Sequence, residues 1–326
     1  MATQQRTLVT GGAGFIGSAL VWALNQRGDD RILIADRLDR SGKWRNLAPL
    51  RFDDYLDADA LLDRLPSLDD VSLVLHLGAC SSTTEMDAAY LMKNNVEYTR
   101  TLGEWALARN IRFVYASSAA TYGAREGRVG EDVELHELRP LNPYGYSKQL
   151  FDLYARRRGY LDRITGLKYF NVFGPNEQHK GDMRSMVDKA YRQILETGTV
   201  RLFRSHRPDY ADGEQRRDFL YVKDAVEMTL HLAERDAPGL FNIGSGRSHT
   251  WLELMQAVFA AMERPARIEF VDMPESIRNQ YQYDTCADDT RLRASGYARP
   301  ATPLADAVSD YVRNYLIPDR RLGDSH

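Results

Sequence analysis

The chain has 326 residues, of which 43% are hydrophobic and 27% charged, so it can bury a large core, and we expect one or two globular domains rather than disorder. Lys and Arg total 43 against 46 for Asp and Glu, a formal net charge of -3, which excludes a general attraction to nucleic acid or to an anionic membrane. Cys80 and Cys286 lie far apart in no metal-ligand spacing, which argues against a disulfide framework and a metal site. Without a signal-peptide core before Leu8 or an apolar stretch of spanning length, we expect a soluble cytoplasmic protein.

Short β-rich runs alternate with helical stretches through the first half of the chain. The predicted strands cover residues 7–10, 32–35, 73–77, 112–116 and 164–169. The segments 18–25, 90–109 and 147–157 carry apolar residues at three- and four-residue spacing, which predicts the helices that cover the strands. This rhythm is typical of βαβ units on a parallel sheet.

The first predicted strand runs directly into the glycine-rich segment Gly11-Gly12-Ala13-Gly14-Phe15-Ile16-Gly17, and a helical pattern follows at once. Glycines let the backbone turn tightly and approach a pyrophosphate, which is then held by the N–H groups and the positive dipole of the helix start. The spacing G-x-x-G-x-x-G is a variant typical of short-chain dehydrogenases. The segment therefore predicts a dinucleotide-binding turn rather than an ordinary glycine turn.

Charged residues follow the second predicted strand. Asp36 ends that strand, where an acidic side chain hydrogen-bonds the adenosine ribose of NAD. Arg37, Arg40 and Lys43 come next, and cations at this place can neutralise a ribose 2′-phosphate and support NADP instead. A solvated surface loop is the alternative interpretation of these three cations.

The segment Tyr144-Gly145-Tyr146-Ser147-Lys148 is a Y-x-x-x-K motif, which on a helix start places the phenol and the ammonium on one face, one turn apart. A nearby cation lowers the pKa of a phenol, so we expect Tyr144 to exchange a proton with a substrate hydroxyl near neutral pH. Ser117 and Ser118 follow the strand at 112–116, at the carboxyl edge of the sheet where doubly wound folds bind ligands.

The second half of the chain is organised differently. After residue 169 the alternation gives way to pieces rich in Gly, Pro and charge, with one further predicted strand at 240–243 and a helix at 251–262. We therefore predict an α/β fold, a Rossmann-type doubly wound parallel sheet with a smaller C-terminal substrate-binding lobe. The nucleotide-binding domain covers residues 1–172 and is completed by about 218–262, and the lobe covers 173–217 and 263–326.

The glycine turn, the strand-end serine and the Tyr/Lys pair, in this order, resemble the extended short-chain dehydrogenases over nearly the whole chain. The resemblance implies that Ser118 hydrogen-bonds the reacting oxygen and that Lys148 also holds the nicotinamide ribose. Sugar-nucleotide dehydratases of this superfamily carry an Asp-Glu pair just after the catalytic Ser or Thr, where this chain has Ala119 and Ala120. Reversible oxidation and reduction at one carbon, which is epimerisation, is therefore the expected chemistry.

Three further segments resemble the ADP-heptose 6-epimerases: residues 76–85 (HLGACSSTTE), 116–123 (ASSAATYG), and 169–175 (YFNVFGP) followed by His179-Lys180-Gly181. The resemblance implies that ADP-D-glycero-D-manno-heptose is converted to its L-glycero epimer for lipopolysaccharide synthesis. It also implies NADP as the cofactor, with NAD as the alternative, and a homo-oligomer such as a pentamer or decamer, with no nucleic-acid or membrane partner.

The resemblance also implies the site residues. The predicted catalytic residues are Ser118, Tyr144, Lys148 and Lys180. The predicted cofactor-binding residues are Gly11, Gly14, Phe15, Ile16, Gly17, Asp36, Arg37, Lys43, Leu77, Gly78, Ala79, Cys80, Ser81, Asn94, Lys148, Val172 and Lys180. The predicted substrate-binding residues are Ser118, Asn171, Asp182, Lys189, Phe203, Arg204, Ser205, His206, Arg217 and Tyr281.

The chain departs from the heptose-epimerase pattern at several positions. Leu77 stands in place of Glu, Asp182 in place of Ser, and Lys189 in place of His. The segment 204–216 is longer, and its basic residues predict a lid over the ADP diphosphate, with a solvated surface loop as the alternative. Two other functions stay open at this point: an epimerase or dehydratase for a UDP or GDP hexose, and a catalytically silent NADP-sensing protein.

Overall fold

The computed structural model describes residues 5–278 and 281–325. The strands are β1 (Arg6–Thr10), β2 (Ile32–Asp36), β3 (Asp54–Asp57), β4 (Val71–His76), β5 (Arg112–Ser118), β6 (Gly127–Val129), β7 (Thr165–Tyr169), β8 (Asn171–Phe173), β9 (Val200–Phe203), β10 (Arg216–Arg217), β11 (Phe219–Tyr221), β12 (Gly239–Ile243), β13 (His249–Thr250), β14 (Ile268–Val271) and β15 (Thr285–Ala287).

The α-helices are α1 (Phe15–Gln26), α2 (Ala58–Arg64), α3 (Ala88–Leu91), α4 (Tyr98–Ala108), α5 (Pro143–Arg157), α6 (Met186–Thr197), α7 (Val222–Arg235), α8 (Trp251–Ala261), α9 (Glu275–Arg278), α10 (Thr290–Ala294) and α11 (Leu304–Tyr311). A π-helical turn, Met92–Glu97, joins α3 to α4. Three of the short 3₁₀ turns border the site described below: Lys43–Asn46, Ala119–Tyr122 and Gln178–Met183.

Seven parallel strands form the central sheet in the order β12-β7-β5-β4-β1-β2-β3. The order reverses at β1, which pairs with β2 on one side and with β4 on the other. The carboxyl ends of β1 and β4 therefore open a crevice at the switch point, where doubly wound sheets bind their ligands. The predicted Rossmann-type α/β fold is confirmed.

Strand β3 was not predicted from the sequence. It is a four-residue edge strand with aspartates at both ends, and only Tyr55 and Leu56 between them are apolar. An edge strand needs no continuous apolar run, because one side of its backbone pairs with nothing and its faces are partly exposed. The sequence therefore carries no clear signal for it.

Both faces of the sheet are covered. One hydrophobic core lies among the sheet, α1, α7, α8 and α11, and a second lies between the other face and α2, α4 and α5. The strands between these cores read as nearly continuous apolar runs, as in β2 (ILIAD), because both of their faces are buried. The described helices include none that is long and apolar enough to cross a membrane.

Four two-stranded pairs lie outside the central sheet: β8 with β11, β9 with β14, β10 with β13, and β6 with β15. The β6–β15 pair joins the C-terminal part of the chain to the first half, whereas the other three pairs join segments within the second half. The buried carboxylate of Asp218 also links segments of the second half, since it accepts hydrogen bonds from the backbone N–H groups of Ser245, Gly246 and Ala287. The exact division into a nucleotide-binding domain and a lobe stays a prediction.

Candidate active site

The turn between β1 and α1 is built by close backbone approach. Gly11 has a φ of +67°, and a Cβ at Gly17 would lie 2.1 Å from the Gly11 carbonyl oxygen, so only glycine fits there. No side chain caps α1, and its first turn contains no acidic residue. The N–H groups at this helix start are therefore free to bind an anion, which fits the pyrophosphate of a dinucleotide.

Asp36 at the end of β2 is fixed by hydrogen bonds and an ion pair. Its carboxylate accepts hydrogen bonds from the Ala13 N–H at 2.8 Å and the Arg37 N–H at 2.7 Å, and it forms an ion pair with the Lys43 ammonium at 2.8 Å. The Arg37 guanidinium is paired with Asp59, which raises the pKa of Arg37. The negative charge that would favour an unphosphorylated ribose is thus neutralised by Lys43.

Three adjoining hollows form one cleft along the carboxyl edge of the sheet. The first, of about 760 Å³, lies beside Asp36 and α4; the second, of about 430 Å³, lies over the glycine turn; and the third, of about 500 Å³, lies beyond Ser118 and β8. Every predicted cofactor-binding residue lines at least one of them. The set predicted from separate motifs is thus brought together along one continuous surface.

The wall opposite the glycine turn is the segment of residues 77–81 after β4, and Asn95 holds it in place. The Asn95 side chain accepts from the Cys80 N–H at 2.8 Å and donates to the Cys80 carbonyl at 3.0 Å and to the Ser147 hydroxyl at 2.9 Å. Asn95 therefore ties the cofactor wall to α5. Sequence reasoning selected the neighbouring Asn94, which lines the first hollow, and missed Asn95.

Residues Tyr90, Asn94 and Tyr98 also line the first hollow. They recur at four-residue spacing on one helical face, a signal that could have predicted Tyr90 and Tyr98 along with Asn94. The same face contributes Lys93 and Glu97.

The start of α5 is fixed by local sequence and by close packing. Asn142 is the N-cap and accepts a hydrogen bond from the Gly145 N–H at 2.8 Å, while Pro143 occupies the first helical position. A Cβ at Gly145 would lie 2.7 Å from the Ala120 carbonyl oxygen, so this glycine lets the helix approach the end of β5. The approach brings Tyr144 to the same hollow as Ser118.

The predicted catalytic groups Ser118, Tyr144 and Lys148 all line the cleft. Burial raises the pKa of the Tyr144 phenol, and a hydrogen bond with Ser118 acts in the opposite direction. The Lys148 ammonium donates to the Ala116 carbonyl at 2.8 Å, and burial lowers its pKa to about 8. Lys148 is not among the groups that shift the phenol's pKa, so the expected lowering by this cation is not seen in the structure.

Lys180 lies on the turn Gln178–Met183 and shares two of the hollows with Tyr144. Its ammonium is 5.3 Å from the centre of the Phe15 ring, and burial lowers its pKa while Glu177 raises it. Glu177 is fully buried and accepts hydrogen bonds from the Ser185 N–H at 2.5 Å and the Ser185 hydroxyl at 2.6 Å. The turn that carries Lys180 is therefore anchored to the start of α6.

The third hollow differs from the rest of the cleft in the charge of its lining. Its lining contains three cations, Arg125, Lys180 and Arg184, and no Asp or Glu. Arg125 and Arg184, like the aromatic residues Phe219 and Trp251, were missed by sequence reasoning, because they lie in segments with no recognisable motif. An anionic ligand fits this surface, whose lining contains the Tyr144 phenol and the Lys180 ammonium but no carboxylate.

The predicted substrate residues are only partly brought together. Ser118 and Asn171 line the third hollow, but Asp182, Lys189, Phe203, Arg204, Ser205, His206, Arg217 and Tyr281 do not. Asp182 is exposed, and Lys189 lies on α6 outside this lining. Arg217 is buried beside the cleft, with its guanidinium 5.8 Å from the Trp251 ring centre and 5.1 Å from that of Tyr281.

Two cations of segment 204–216, Arg204 and Arg207, are paired within the protein. Arg204 lies 3.2 Å from Asp212, and Arg207 donates to both carboxylate oxygens of Glu126 at 2.8 Å. Arg207 also stacks on the rings of Tyr210 and Tyr283. This pairing favours a packed surface segment over the predicted lid whose cations bind phosphate.

No group of His, Cys, Asp and Glu in residues 5–278 and 281–325 could hold a metal ion. Residues 7–244 match the profile of the NAD dependent epimerase/dehydratase family. The chain belongs to this family. It is 52% identical over 316 residues, covering 95% of this chain and 97% of the relative, to a protein of Nitratidesulfovibrio vulgaris (strain DP4) named ADP-L-glycero-D-manno-heptose-6-epimerase.

Solved structures of the epimerase family superpose on the chain. The ADP-L-glycero-D-manno-heptose-6-epimerase of Helicobacter pylori gives a TM-score of 0.83 at 26% identity and covers 96% of each chain. UDP-glucuronic acid 4-epimerase from Bacillus cereus in complex with NAD gives a TM-score of 0.78 at 25% identity, covering 95% of this chain and 99% of that one. The cleft described above is thus that of an epimerase that uses a nicotinamide cofactor.

Proposed function

We propose that the chain interconverts ADP-D-glycero-D-manno-heptose and ADP-L-glycero-D-manno-heptose by transient oxidation at C6″. The observation that carries the proposal is the third hollow, in which Ser118 and Tyr144 lie with three cations, one of them Lys180, and no carboxylate. The cations suit a diphosphate, and the absence of Asp and Glu from this lining disfavours a dehydratase. The names of the relatives, at 52% identity over 95% of the chain, supply the sugar and the nucleotide.

Inversion at C6″ requires two proton-transferring groups if the sugar turns over during the reaction. A nicotinamide cofactor held at the glycine turn and Lys148 would supply reversible hydride transfer at C6″. One of Tyr144 and Lys180 takes the hydroxyl proton as the ketone forms. The ketone then rotates, and the other group gives a proton to the oxygen as the C–H bond re-forms on the opposite face.

The surroundings of the two groups suit a division of labour. Burial raises the pKa of the Tyr144 phenol and lowers that of the Lys180 ammonium. Burial therefore makes the Lys180 ammonium a stronger acid and the Tyr144 phenol a weaker one, and the roles of the two groups exchange when the reaction runs backwards. Ser118, which hydrogen-bonds the phenol, would hold the reacting oxygen beside it.

Two substitutions test the two-base scheme. Tyr144→Phe and Lys180→Met should each nearly abolish epimerisation while still binding the cofactor, because each removes one proton-transferring group and leaves the glycine turn intact. Each variant should retain oxidation and reduction of a simpler aldehyde presented in one orientation. Full epimerase activity in Lys180→Met would refute the scheme and leave Tyr144 as the sole acid–base group.

A panel of nucleotide sugars tests the substrate. Purified protein is incubated with ADP-D-glycero-D-manno-heptose, with UDP hexoses and with GDP hexoses, and the stereochemistry of the products is followed by NMR. We expect conversion of the ADP-heptose alone to a mixture of both epimers. Turnover of a UDP or GDP hexose without turnover of the ADP-heptose would overturn the assignment.

We propose NADP as the preferred cofactor. The support is the Lys43–Asp36 ion pair, which neutralises the acidic residue that would favour NAD and keeps an ammonium at the ribose end of the cleft. In a fluorescence titration, Lys43→Met should weaken the binding of NADP far more than the binding of NAD. Arg45→Met removes an exposed cation that does not line the first hollow, so it should change the binding of neither cofactor. Equal losses for both cofactors in Lys43→Met would contradict the preference.

We also propose that the protein acts in the cytoplasm as a homo-oligomer, with a pentamer or decamer expected from the family resemblance. Exposed apolar side chains such as Met86, Leu195 and Ile317 are candidates for subunit contacts. Light scattering of the purified protein gives the assembly mass directly, and a monomer would refute the oligomer.

A further inference from the structure

An ion pair is buried behind the proposed catalytic groups. Asp152 on α5 and Lys168 on β7 are both 0% exposed, and Lys168 Nζ lies 2.8 Å from Asp152 Oδ2. Burying two charges carries a desolvation cost that their attraction often only offsets. Stability alone is therefore a weak reason for this pair, and its contacts point to a role in the site.

The Asp152 carboxylate has three donors. Oδ1 accepts from the Tyr115 hydroxyl at 2.8 Å, and Oδ2 accepts from the Ser117 hydroxyl at 2.8 Å as well as from Lys168. Tyr115 and Ser117 both lie on β5, the strand that ends at Ser118. The carboxylate thus joins α5, which carries Tyr144 and Lys148, to the strand that carries Ser118.

The Lys168 ammonium extends the connection to the turn after β5. It donates to the Thr121 hydroxyl at 2.7 Å and lies 5.1 Å from the centre of the Tyr122 ring. The Thr121 hydroxyl in turn donates to the Ser118 carbonyl at 2.8 Å. Lys168 and Ser118 are therefore connected through one side chain. Of the residues in this hydrogen-bond network, Ser117, Ser118 and Tyr122 line the cleft, whereas Asp152, Lys168, Tyr115 and Thr121 do not.

The charge of Asp152 also acts on Lys148. Asp152 follows Lys148 by one turn of α5, and its charge raises the pKa of Lys148 against the larger lowering by burial. The other titratable groups around Lys148 are Cys80 after β4, His76 on β4, and Tyr144 on α5. Burial lowers the pKa of His76 to about 3, so it stays neutral, and Asp152 is the carboxylate in this set.

We propose that Asp152 and Lys168 are positioning residues for the epimerisation: Asp152 supplies the counter-charge for Lys148, and Lys168 holds Thr121 and thereby the Ser118 strand end. The inference rests on the proposed function for its catalytic consequence, whereas the charge coupling to Lys148 can be measured without any substrate.

The experiment measures the titration of Lys148 by the pH dependence of its acetylation with acetic anhydride, followed by mass spectrometry. Asp152→Asn removes the counter-charge, so the midpoint should fall by about one pH unit. Lys168→Met removes the cation that is paired with Asp152, so the Asp152 charge acts more strongly on Lys148. The pH midpoint of Lys148 acetylation should therefore rise. Asp162→Asn, an exposed aspartate beyond α5, changes the net charge equally and should leave the midpoint unchanged.

A third variant separates position from charge. Thr121→Val cuts the connection from Lys168 to the Ser118 carbonyl without changing any charge, so kcat should fall about tenfold or more while the Lys148 midpoint stays the same. If either single charge variant fails to fold by circular dichroism, the double variant Asp152→Asn/Lys168→Met replaces the pair with neutral groups and its midpoint should still fall.

Two results would overturn the proposal: an unchanged Lys148 midpoint in a folded variant that lacks the Asp152 charge, or an unchanged kcat in Thr121→Val. Failure of the proposed function would give a different result. The wild-type protein would then not turn over ADP-heptose, but the Lys148 midpoint would still be lower in Asp152→Asn than in Lys168→Met.

Discussion

Replacing Asn95 with alanine tests whether the cofactor wall depends on tertiary hydrogen bonds. The substitution removes one bond from the Cys80 N–H, one to the Cys80 carbonyl and one to the Ser147 hydroxyl. Asn95 is 1% exposed, so water does not replace these bonds readily. At about 0.5–1.5 kcal/mol for each bond, the free energy of unfolding should fall by about 1.5–4.5 kcal/mol.

The neighbouring asparagine is the matched control. The Asn94 amide donates only to the Tyr90 carbonyl within the same helix, and the side chain lines the first hollow. Asn94→Ala should therefore change the free energy of unfolding by less than about 0.5 kcal/mol. It should still weaken the binding of the cofactor. Asn95→Ala should lose both stability and cofactor affinity, because the segment of residues 77–81 is released.

Urea unfolding followed by circular dichroism gives the stability difference from the midpoints, provided that the slopes of the two variants agree. Titration with NADPH, followed by its fluorescence, gives the cofactor dissociation constants. If Asn95→Ala is no less stable than Asn94→Ala, the three bonds do not hold the wall and the reasoning is wrong.

Two further predictions concern His76 and the glycine turn. Because burial lowers the pKa of His76 to about 3 in the folded protein, its neutral form contributes stability that is present above the unfolded value of about 6.5 and is lost as the pH falls toward about 3. His76→Asn should thus show a smaller loss of unfolding midpoint between about pH 7 and pH 4; an equal loss would point to His179, whose pKa burial lowers to about 4. Gly17→Ala should cost about 1–3 kcal/mol and nearly abolish cofactor binding, since its Cβ would lie 2.1 Å from the Gly11 oxygen. Gly103→Ala, 3.4 Å from the Phe113 side chain, should bind cofactor normally, and a calorimetric titration that shows equal binding in both variants would contradict the clash.

The sequence by itself determined the elements of the nucleotide-binding fold and the residues along its edge. Strands such as β1 and β2 are apolar on both faces because both faces are covered, so their runs can be read directly. The glycine turn and the Tyr144/Lys148 pair are local motifs, whose geometry follows from a strand end or from one turn of helix. The glycine turn, Asp36 and residues 77–81 lie at or just after the carboxyl ends of β1, β2 and β4, which meet at one edge of the sheet. Asn94, Lys148 and Lys180 line the cleft from helices and a turn beside that edge.

Only the tertiary structure decided what surrounds these motifs. Asn95, Glu177 and the Asp152–Lys168 pair act on residues brought near by packing, and a single polar residue in a helix or strand gives no sign of its partner. The substrate residues proved hardest to place, because the third hollow is assembled from β5, α6, β8, β11 and α8 rather than from one motif. The positive charge of the third hollow also results from the packing of these segments. The chain as a whole has a net charge of -3, but Arg125, Lys180 and Arg184 line one surface that contains no carboxylate.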